Sequence, residues 1–187
     1  MKVKSTHIDG VKIVKPEVYR DERGLFTETY SYKKYFSKGI TDNFVQDNYS
    51  HSKKNTIRGL HYQLNNPQGK LVRVLKGSVL DTALDIRVGS PSFGESLTIE
   101  LNDVEFTQLY LPPGIAHGFF VTSPYVDFEY KCSDYYFPDD QFGVSYKDPS
   151  LNLKYDSDNA FMSSLDEGYL PLDQIPEIEL PIYNSQK

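Results

Sequence analysis

The feature that most constrains the fold of this chain is a series of short apolar or alternating runs, each of which ends at turn residues. The runs in the middle of the chain span residues 70–75, 78–86, 96–101, 108–111, 117–122 and 128–132. The residues between them, at 77, 89–91, 102–103 and 112–114, are glycine, proline, serine, asparagine and aspartate. Strands of this length at regular spacing are typical of a sandwich or barrel, so the sequence predicts an all-β fold.

Signals for helices are few. Residues 31–38 resemble one short helix, and Gly39 follows where the C-terminus of a helix favours a left-handed residue. Residues 157–174 fit no single pattern. The chain has 187 residues without an internal repeat or a low-complexity linker. We therefore expect a single domain, 1–187, in which the segment from about residue 149 packs on the barrel.

Charge and cysteine content limit the partners of the chain. The net charge is -6, and no run of lysine and arginine stands out, which argues against a nucleic-acid partner. An anionic ligand must then be held by local positive groups. Cys132 has no second cysteine with which to form an internal disulfide, and residues 1–10 contain no apolar stretch. We expect a cytoplasmic protein with no membrane partner.

The period-two alternation of strands places several polar side chains on an apolar face. Tyr130 shares a face with Phe128, because successive side chains of a strand point to opposite sides of the sheet. The same parity turns Lys70, His61 and His117 inward. A single inward tyrosine or histidine is more often a hydrogen-bonded core residue than a catalyst. An inward lysine is harder to explain that way, since burying an ammonium is costly, so the four together predict a pocket.

Parity alone does not bring Arg58 into this pocket. It places the arginine on the face opposite His61. A bulge or turn near Gly59 would be needed to bring both side chains to one site.

Two motifs resemble the halves of the cupin signature. Residues 112–117 fit P-x-G-x-x-H, and His61-x-Gln63 is followed by Lys70 and Gly77. In metal-binding cupins the second half reads H-x-H and then glutamate, so Gln63 and Lys70 stand where two metal ligands would be. A cation in place of a carboxylate repels a divalent metal. We therefore expect no metal.

A longer series of motifs is more specific. In order they are Asp21-x-Arg23-Gly24-x-Phe26-x-Glu28, Phe44-Val45-Gln46-Asp47-Asn48, Arg58-Gly59-Leu60-His61-Tyr62-Gln63, Gly69-Lys70-Leu71-Val72-Arg73-Val74, Asp81-x-Ala83-x-Asp85-Ile86-Arg87, Ser90-Pro91-Ser92-Phe93-Gly94, Pro112-x-Gly114-x-Ala116-His117-Gly118-Phe119 and Tyr130-Lys131-Cys132-Ser133-Asp134-Tyr135-Tyr136. From about Asp21 to Asp148 the series resembles the dTDP-4-dehydrorhamnose 3,5-epimerases. The resemblance implies a cupin-type double-stranded β-helix, or jelly-roll barrel, with few short helices and no cofactor. It also implies a nucleotide-sugar substrate and a homodimer.

The same resemblance implies roles for individual residues. His61 matches the general base, Asp166 its orienting carboxylate, Tyr130 the general acid and Lys70 the group beside the 4-keto oxygen. The residues that match substrate-binding positions are Arg23, Glu28, Gln46, Asn48, Arg58, His117, Tyr136 and Gln141.

The chemistry of an epimerase suits these residue types. A ketone acidifies the hydrogens on its neighbouring carbons, and a histidine with a pKa near neutral can remove one. Lys70 can stabilise the charge that develops on O4, a contribution of roughly 3–4 kcal/mol for one donor. Tyr130 can return a proton to the opposite face if a neighbouring positive charge lowers the pKa of its hydroxyl from about 10.

The sequence departs from the family pattern after Tyr136. Gln141 stands where glutamate is usual, and Leu165 stands where lysine is usual. Tyr146 and Tyr155 stand at tryptophan positions. The assignment of Asp166 depends on the short pattern Ser163-x-x-Asp166, and the nearby alternatives are Asp156, Asp158 and Glu167.

Three functions remain open at this point. The first is inversion of C3 and C5 of dTDP-4-keto-6-deoxyglucose through an enolate. The second is a C3-only epimerase or a 3,4-ketoisomerase that acts on another 4-keto sugar nucleotide, although Tyr62-Gln63 argues against the ketoisomerase. The third is a non-catalytic cupin that binds a sugar nucleotide.

The strand at residues 79–86 bears on assembly. Leu80 and Leu84 lie on one face, and Val79 and Ala83 lie on the other. A strand without a polar face is usually covered on both sides. In a domain of this size we expect a partner subunit as the cover, in agreement with the implied homodimer.

Overall fold

The computed structural model describes residues 1–151, 153, 155 and 160–184. The regular structure consists of thirteen strands and two short α-helices. They are β1 (Lys2–Ser5), β2 (Lys12–Lys15), β3 (Val18–Asp21), β4 (Gly24–Thr27), α1 (Tyr32–Phe36), β5 (Gln46–Lys53), β6 (Ile57–Gln63), β7 (Lys70–Lys76), β8 (Ser78–Asp85), β9 (Ser96–Asn102), β10 (Gln108–Leu111), β11 (Ile115–Val121), β12 (Tyr125–Cys132), β13 (Gln141–Gly143) and α2 (Ser164–Glu167).

The strands form two large antiparallel sheets. One has six strands in the order β1-β2-β10-β7-β12-β5, and the other has five in the order β13-β6-β11-β8-β9. Most neighbours within a sheet are not consecutive in sequence, so the chain crosses repeatedly between the two layers. The predicted all-β architecture is confirmed. A separate two-stranded ribbon, β3-β4, belongs to neither sheet.

The main core lies between the two sheets. Val72 and Leu109 of the six-stranded sheet are fully buried in one cluster with Ala83 and Phe119 of the five-stranded sheet. These residues come from the inward face of each strand, as the alternation predicts. Burial of both inner faces holds the two layers together.

The outer face of the five-stranded sheet is covered by the chain itself. Leu84 and Leu60 of this sheet pack in one buried cluster with Leu151, Leu172 and Leu180. In strand β8, every residue from Thr82 to Asp85 is buried. The cover that we expected from a partner subunit is therefore supplied by the segment after residue 143, and β8 no longer argues for a dimer.

Both tyrosines that stand at tryptophan positions lie in this covering layer. Tyr146 is buried, and Tyr155 stacks on Phe120 with ring centroids 5.4 Å apart. The hydroxyl of Tyr155 also hydrogen-bonds to that of Thr82. Both positions therefore contribute to packing on the sheet.

The predicted helix is present as α1, and it covers part of the six-stranded sheet. Tyr35 of this helix is buried, and its hydroxyl donates to the Gln108 side chain at 2.8 Å. Gly39 has a φ of 74°, the left-handed conformation expected after the helix. The ambiguous stretch near the C-terminus contains α2, while residues 156–159 lie outside the described residues. Among the described helices none has the length and apolar character to cross a membrane.

Candidate active site

A cavity of about 610 Å³ opens between the two sheets. Ten of the twelve residues predicted for the site line this cavity. They are His61, Lys70, Tyr130, Asp166, Gln46, Asn48, Arg58, His117, Tyr136 and Gln141. The cavity is therefore the meeting point of side chains from both layers and from the C-terminal segment.

His61 and Asp166 form a close pair at one wall. Nε2 of His61 lies 2.5 Å from Oδ1 of Asp166, and the carboxylate is 4% exposed. The backbone N–H of Asp166 donates to the Ser163 hydroxyl, which caps α2 and fixes the position of the carboxylate. A carboxylate on one ring nitrogen holds the tautomer in which Nδ1 can accept a proton. Of the alternative carboxylates, Glu167 is exposed, while Asp156 and Asp158 lie outside the described residues.

Tyr169 was not among the predicted site residues, yet it packs against His61. Its ring meets the His61 ring edge-on, with centroids 5.8 Å apart. Gly143 pairs with His61 across β13 and β6, and a Cβ at Gly143 would lie 2.3 Å from the Tyr169 ring. Gln141 reaches the Tyr169 hydroxyl at 3.4 Å. Only a tyrosine three residues after Asp166 marks this contact in the sequence.

Tyr130 lies on β12, in the opposite sheet from His61. Burial raises the pKa of its hydroxyl, and the nearby Arg58 charge opposes this effect only in part. The expectation that a neighbour lowers the pKa of Tyr130 is therefore wrong for the free protein. A raised pKa keeps the phenol protonated, which suits a group that donates a proton.

Lys70 projects into the cavity from β7 and makes no ion pair with a described residue. Burial lowers the pKa of its ammonium, while Cys132 and Asp81 oppose that shift. A lysine held in a low-dielectric cavity is a strong electrostatic partner for a developing negative charge.

His117 is held by a second carboxylate. Its Nε2 lies 3.0 Å from both carboxylate oxygens of Asp81, which is fully buried. The ring also stacks on Phe128, with centroids 6.2 Å apart. These contacts fix the orientation of His117 in the cavity wall.

Gln46 and Asn48 form a connected polar edge of the cavity. The Gln46 amide donates to Asn48 at 3.0 Å, and the backbone N–H of Tyr136 donates to Gln46 at 3.1 Å. Asn48 in turn contacts the Cys132 sulfur at 3.5 Å. The half-exposed Tyr136 ring stands beside this edge.

A bulge brings Arg58 and His61 to the same cavity. His61 pairs with His117, but Arg58 pairs with Phe119, so β6 carries one more residue than β11 between these points. Gly59 lies inside the irregularity with a φ of 109°, and a Cβ there would lie 2.5 Å from the His117 carbonyl oxygen. The bulge required for Arg58 is therefore present at the glycine.

Arg23 and Glu28 do not reach the cavity of this chain. Arg23 stands on the β3-β4 turn, is 85% exposed and pairs with Asp21 at 2.6 Å. Glu28 pairs with Lys34 at 2.9 Å. Neither residue lines the cavity, in contrast to the expectation for both.

Gln63 departs from the motif of metal-binding cupins, and Leu165 departs from the family pattern. The Gln63 amide donates to the carbonyls of Asn66 and Tyr135, and its oxygen accepts from the N–H of Phe137. These bonds anchor loops at the cavity wall. Leu165 lines the cavity with its side chain 55% exposed. Within the described part of the chain, no three His, Cys, Asp or Glu side chains lie together as a metal-binding group.

Comparison with known proteins agrees with this geometry. The family model described as dTDP-4-dehydrorhamnose 3,5-epimerase matches residues 5–174. The enzyme of that name from Methanothermobacter thermautotrophicus is 38% identical over 174 residues, or 91% of this chain and 94% of that protein. The one from Escherichia coli is 38% identical over 183 residues, or 96% and 99%.

A solved structure extends the comparison to the fold. The crystal structure of dTDP-6-deoxy-D-glucose-3,5-epimerase from Legionella pneumophila, in complex with dTDP-4-keto-L-rhamnose, superposes with a TM-score of 0.94. It is 45% identical in sequence, and the match covers 98% of this chain and 99% of that one. The predicted cupin-type barrel is therefore confirmed.

Proposed function

The chain belongs to the dTDP-4-dehydrorhamnose 3,5-epimerase family and is an isomerase of that family, and we propose that it inverts C3 and C5 of dTDP-4-keto-6-deoxyglucose. One observation carries the proposal. A histidine–carboxylate pair and a protonated tyrosine stand on opposite walls of one cavity, with a lysine in the same cavity. Inversion of a carbon beside a ketone needs this set of groups.

The reaction begins with removal of a proton. Nδ1 of His61 takes the hydrogen from C3 or C5 while Asp166 holds Nε2 and stabilises the imidazolium that forms. The electrons of the broken C–H bond move toward O4 and give an enolate. Lys70 stabilises the charge on O4, and no metal or cofactor takes part in the step.

Inversion is completed from the other wall. The Tyr130 hydroxyl gives its proton to the face of the carbon opposite the one that His61 deprotonated, and the ketone is restored. The two residues come from different sheets, so the distance between the sheets keeps them on opposite sides of the sugar. Transfer of the proton from His61 to solvent and from solvent to Tyr130 prepares the site for the second carbon.

Substrate binding uses the rest of the cavity. Arg58 neutralises the diphosphate, because a guanidinium can donate two parallel hydrogen bonds to phosphate oxygens. His117, Gln46, Asn48, Tyr136 and Gln141 bind the sugar and the nucleotide. A local positive group of this kind lets a protein with a net charge of -6 hold an anionic substrate.

We further propose a homodimer that brings Arg23 and Glu28 to the cavity of the partner subunit. The β3-β4 ribbon carries exposed apolar side chains, with Phe26 68% and Tyr19 56% exposed. A two-stranded ribbon of this kind has little stability alone, and exposed apolar groups mark a contact surface. Docking on a second copy would cover these side chains.

The test is incubation with dTDP-4-keto-6-deoxyglucose in deuterated water that contains EDTA, followed by NMR. Deuterium at both C3 and C5, with conversion to the L-configured ketosugar, is the expected result. Deuterium at C3 alone would replace the proposal by a C3-only epimerase. No exchange at either carbon, with retained binding, would leave the non-catalytic function.

A further inference from the structure

Strand β5 turns four polar side chains toward the interior. By the alternation of the strand these are Gln46, Asn48, Ser50 and Ser52, of which the first three line the cavity. Gln46 and Asn48 bond to each other, and Ser52 accepts a hydrogen bond from Nε of Arg58 at 3.0 Å. Only the Ser50 hydroxyl is buried without a hydrogen-bond partner among the described residues.

The neighbouring strand offers Ser50 nothing polar. Ser50 pairs with Phe128 across β5 and β12, and Phe128 is fully buried. A buried hydroxyl without a partner is unfavourable, and native structures contain few of them. Because this one stands in a cavity wall, a bound ligand is the natural source of its partner.

Arg58 indicates which part of a ligand lies nearby. Ser52 holds its Nε, two residues along the strand from Ser50. Tyr130, which pairs with Asn48 on the other side of Ser50, lines the same cavity. Arg58 and Ser50 line the same cavity, and the terminal nitrogens of Arg58 make no hydrogen bond to a described residue. An anion held by those nitrogens comes within reach of the serine.

We propose that the Ser50 hydroxyl donates a hydrogen bond to the diphosphate of the nucleotide sugar beside Arg58, an inference that rests on the proposed function. Phosphate oxygens accept hydrogen bonds, and the serine O–H supplies a donor in the same cavity as Arg58. The contact lies away from the carbons that react. Ser50 therefore contributes to the affinity for the diphosphate and leaves the chemical step unchanged.

The experiment compares wild type with Ser50→Ala by calorimetric titration with dTDP and with thymidine. The variant should bind dTDP about tenfold more weakly, since it loses a hydrogen bond to a charged group, and thymidine equally well. Turnover should show a raised KM with an unchanged kcat. The free variant should melt at or above the wild-type temperature, because the substitution removes an unsatisfied hydroxyl and breaks no bond.

Ser78→Ala is the matched control. Ser78 is also a half-buried strand serine, but its hydroxyl bonds to that of Thr122 at 2.7 Å and lies outside the cavity. This variant should bind dTDP as the wild type does and melt at or below its temperature.

Two results would overturn the inference. One is dTDP binding by Ser50→Ala that equals the wild type, and the other is an equal loss of affinity for dTDP and thymidine. Failure of the wild type to bind dTDP would instead contradict the proposed nucleotide. The Ser50 comparison would then be made with UDP and inorganic pyrophosphate, which keep the diphosphate.

Discussion

At the scale of single residues, the site depends on two groups with different tasks. Asp166 holds one ring nitrogen of His61 and leaves the other to accept a proton, whereas burial raises the pKa of Tyr130 and keeps it protonated. In the proposed mechanism one side chain therefore accepts a proton and the other donates one. The two tasks can be separated by substitution.

His61→Asn should abolish both inversion and exchange of the α-hydrogens with solvent, because no proton can leave. Tyr130→Phe should keep exchange with retained configuration and lose inversion, since it removes the proton donor but keeps the ring and its packing. Both activities can be measured by NMR on one folded sample of each variant. Undiminished inversion by Tyr130→Phe would show that another group is the acid.

The lowered pKa of Lys70 predicts opposite effects of pH on activity and on stability. As the pH rises through the pKa of the folded protein, Lys70 loses its proton and kcat/KM should fall. The unfolded chain holds that proton up to about pH 10.5, so in this window it binds more protons than the folded protein. Stability should therefore rise with pH in the wild type relative to Lys70→Met. Denaturant titrations of the two proteins across the window give the measurement, and parallel curves would contradict the buried ammonium.

At the scale of elements, we expect a small substitution to affect turnover most at the contact between β13, Tyr169 and His61. Gly143→Ala would place a methyl group against the Tyr169 ring and displace the group that packs on His61. We expect kcat to fall by about tenfold or more with little change in KM, since small displacements of a catalytic group are costly. Gly168→Ala is the control, because a Cβ there meets nothing closer than 3.6 Å. Steady-state kinetics that are equal for the two variants would remove Tyr169 from the support of the base.

The strands also show how far sequence reasoning extends. Parity correctly turned Tyr130, Lys70 and His117 inward, because a regular strand has only two faces. Parity alone placed Arg58 on the wrong face, since one extra residue at Gly59 reverses the face. The position of that extra residue depends on how β6 pairs with β11. Asp166 could be named only by resemblance, as it lies 105 residues from His61 and is brought there by tertiary packing.

Ser50 and Tyr169 mark the limit of that reasoning. The hydroxyl of Ser50 differs from those of other serines only in what surrounds it, and a sequence does not state which hydroxyl lacks a partner. The Tyr169 ring fits against His61 only because Gly143 of β13 has no side chain. Both features belong to the packed structure. The sequence marks Tyr169 only by its position three residues after Asp166, and it gives no signal for Ser50.

At the scale of the whole molecule, the assembly can be tested by mixing subunits. His61→Asn lacks the base, and Arg23→Ala lacks the side chain that a partner is proposed to receive. If Arg23 acts across the dimer, a mixed dimer contains one site with both groups intact. Equal mixing after unfolding and refolding should then restore about a quarter of the wild-type activity for a two-fold dimer. Arg23 acting within its own subunit predicts no restoration.

Light scattering provides the companion measurement. Phe26→Glu should convert the dimer to monomer at micromolar concentration, because it places a charge in the contact. Val104→Glu is the control, since Val104 is 71% exposed, much like Phe26, but lies outside the ribbon. A wild-type protein that is already monomeric would contradict the assembly.

The separation of His61 and Asp166 along the chain also determines the order in which the two residues are synthesised. The ribosome makes the chain from its N-terminus, so the strand with the base and the strand with the acid emerge long before the carboxylate. A chain that ends at residue 143 contains all thirteen strands, yet it holds His61 without its carboxylate partner. In the proposed mechanism, the base is therefore complete only when the segment that closes over the outer sheet is in place.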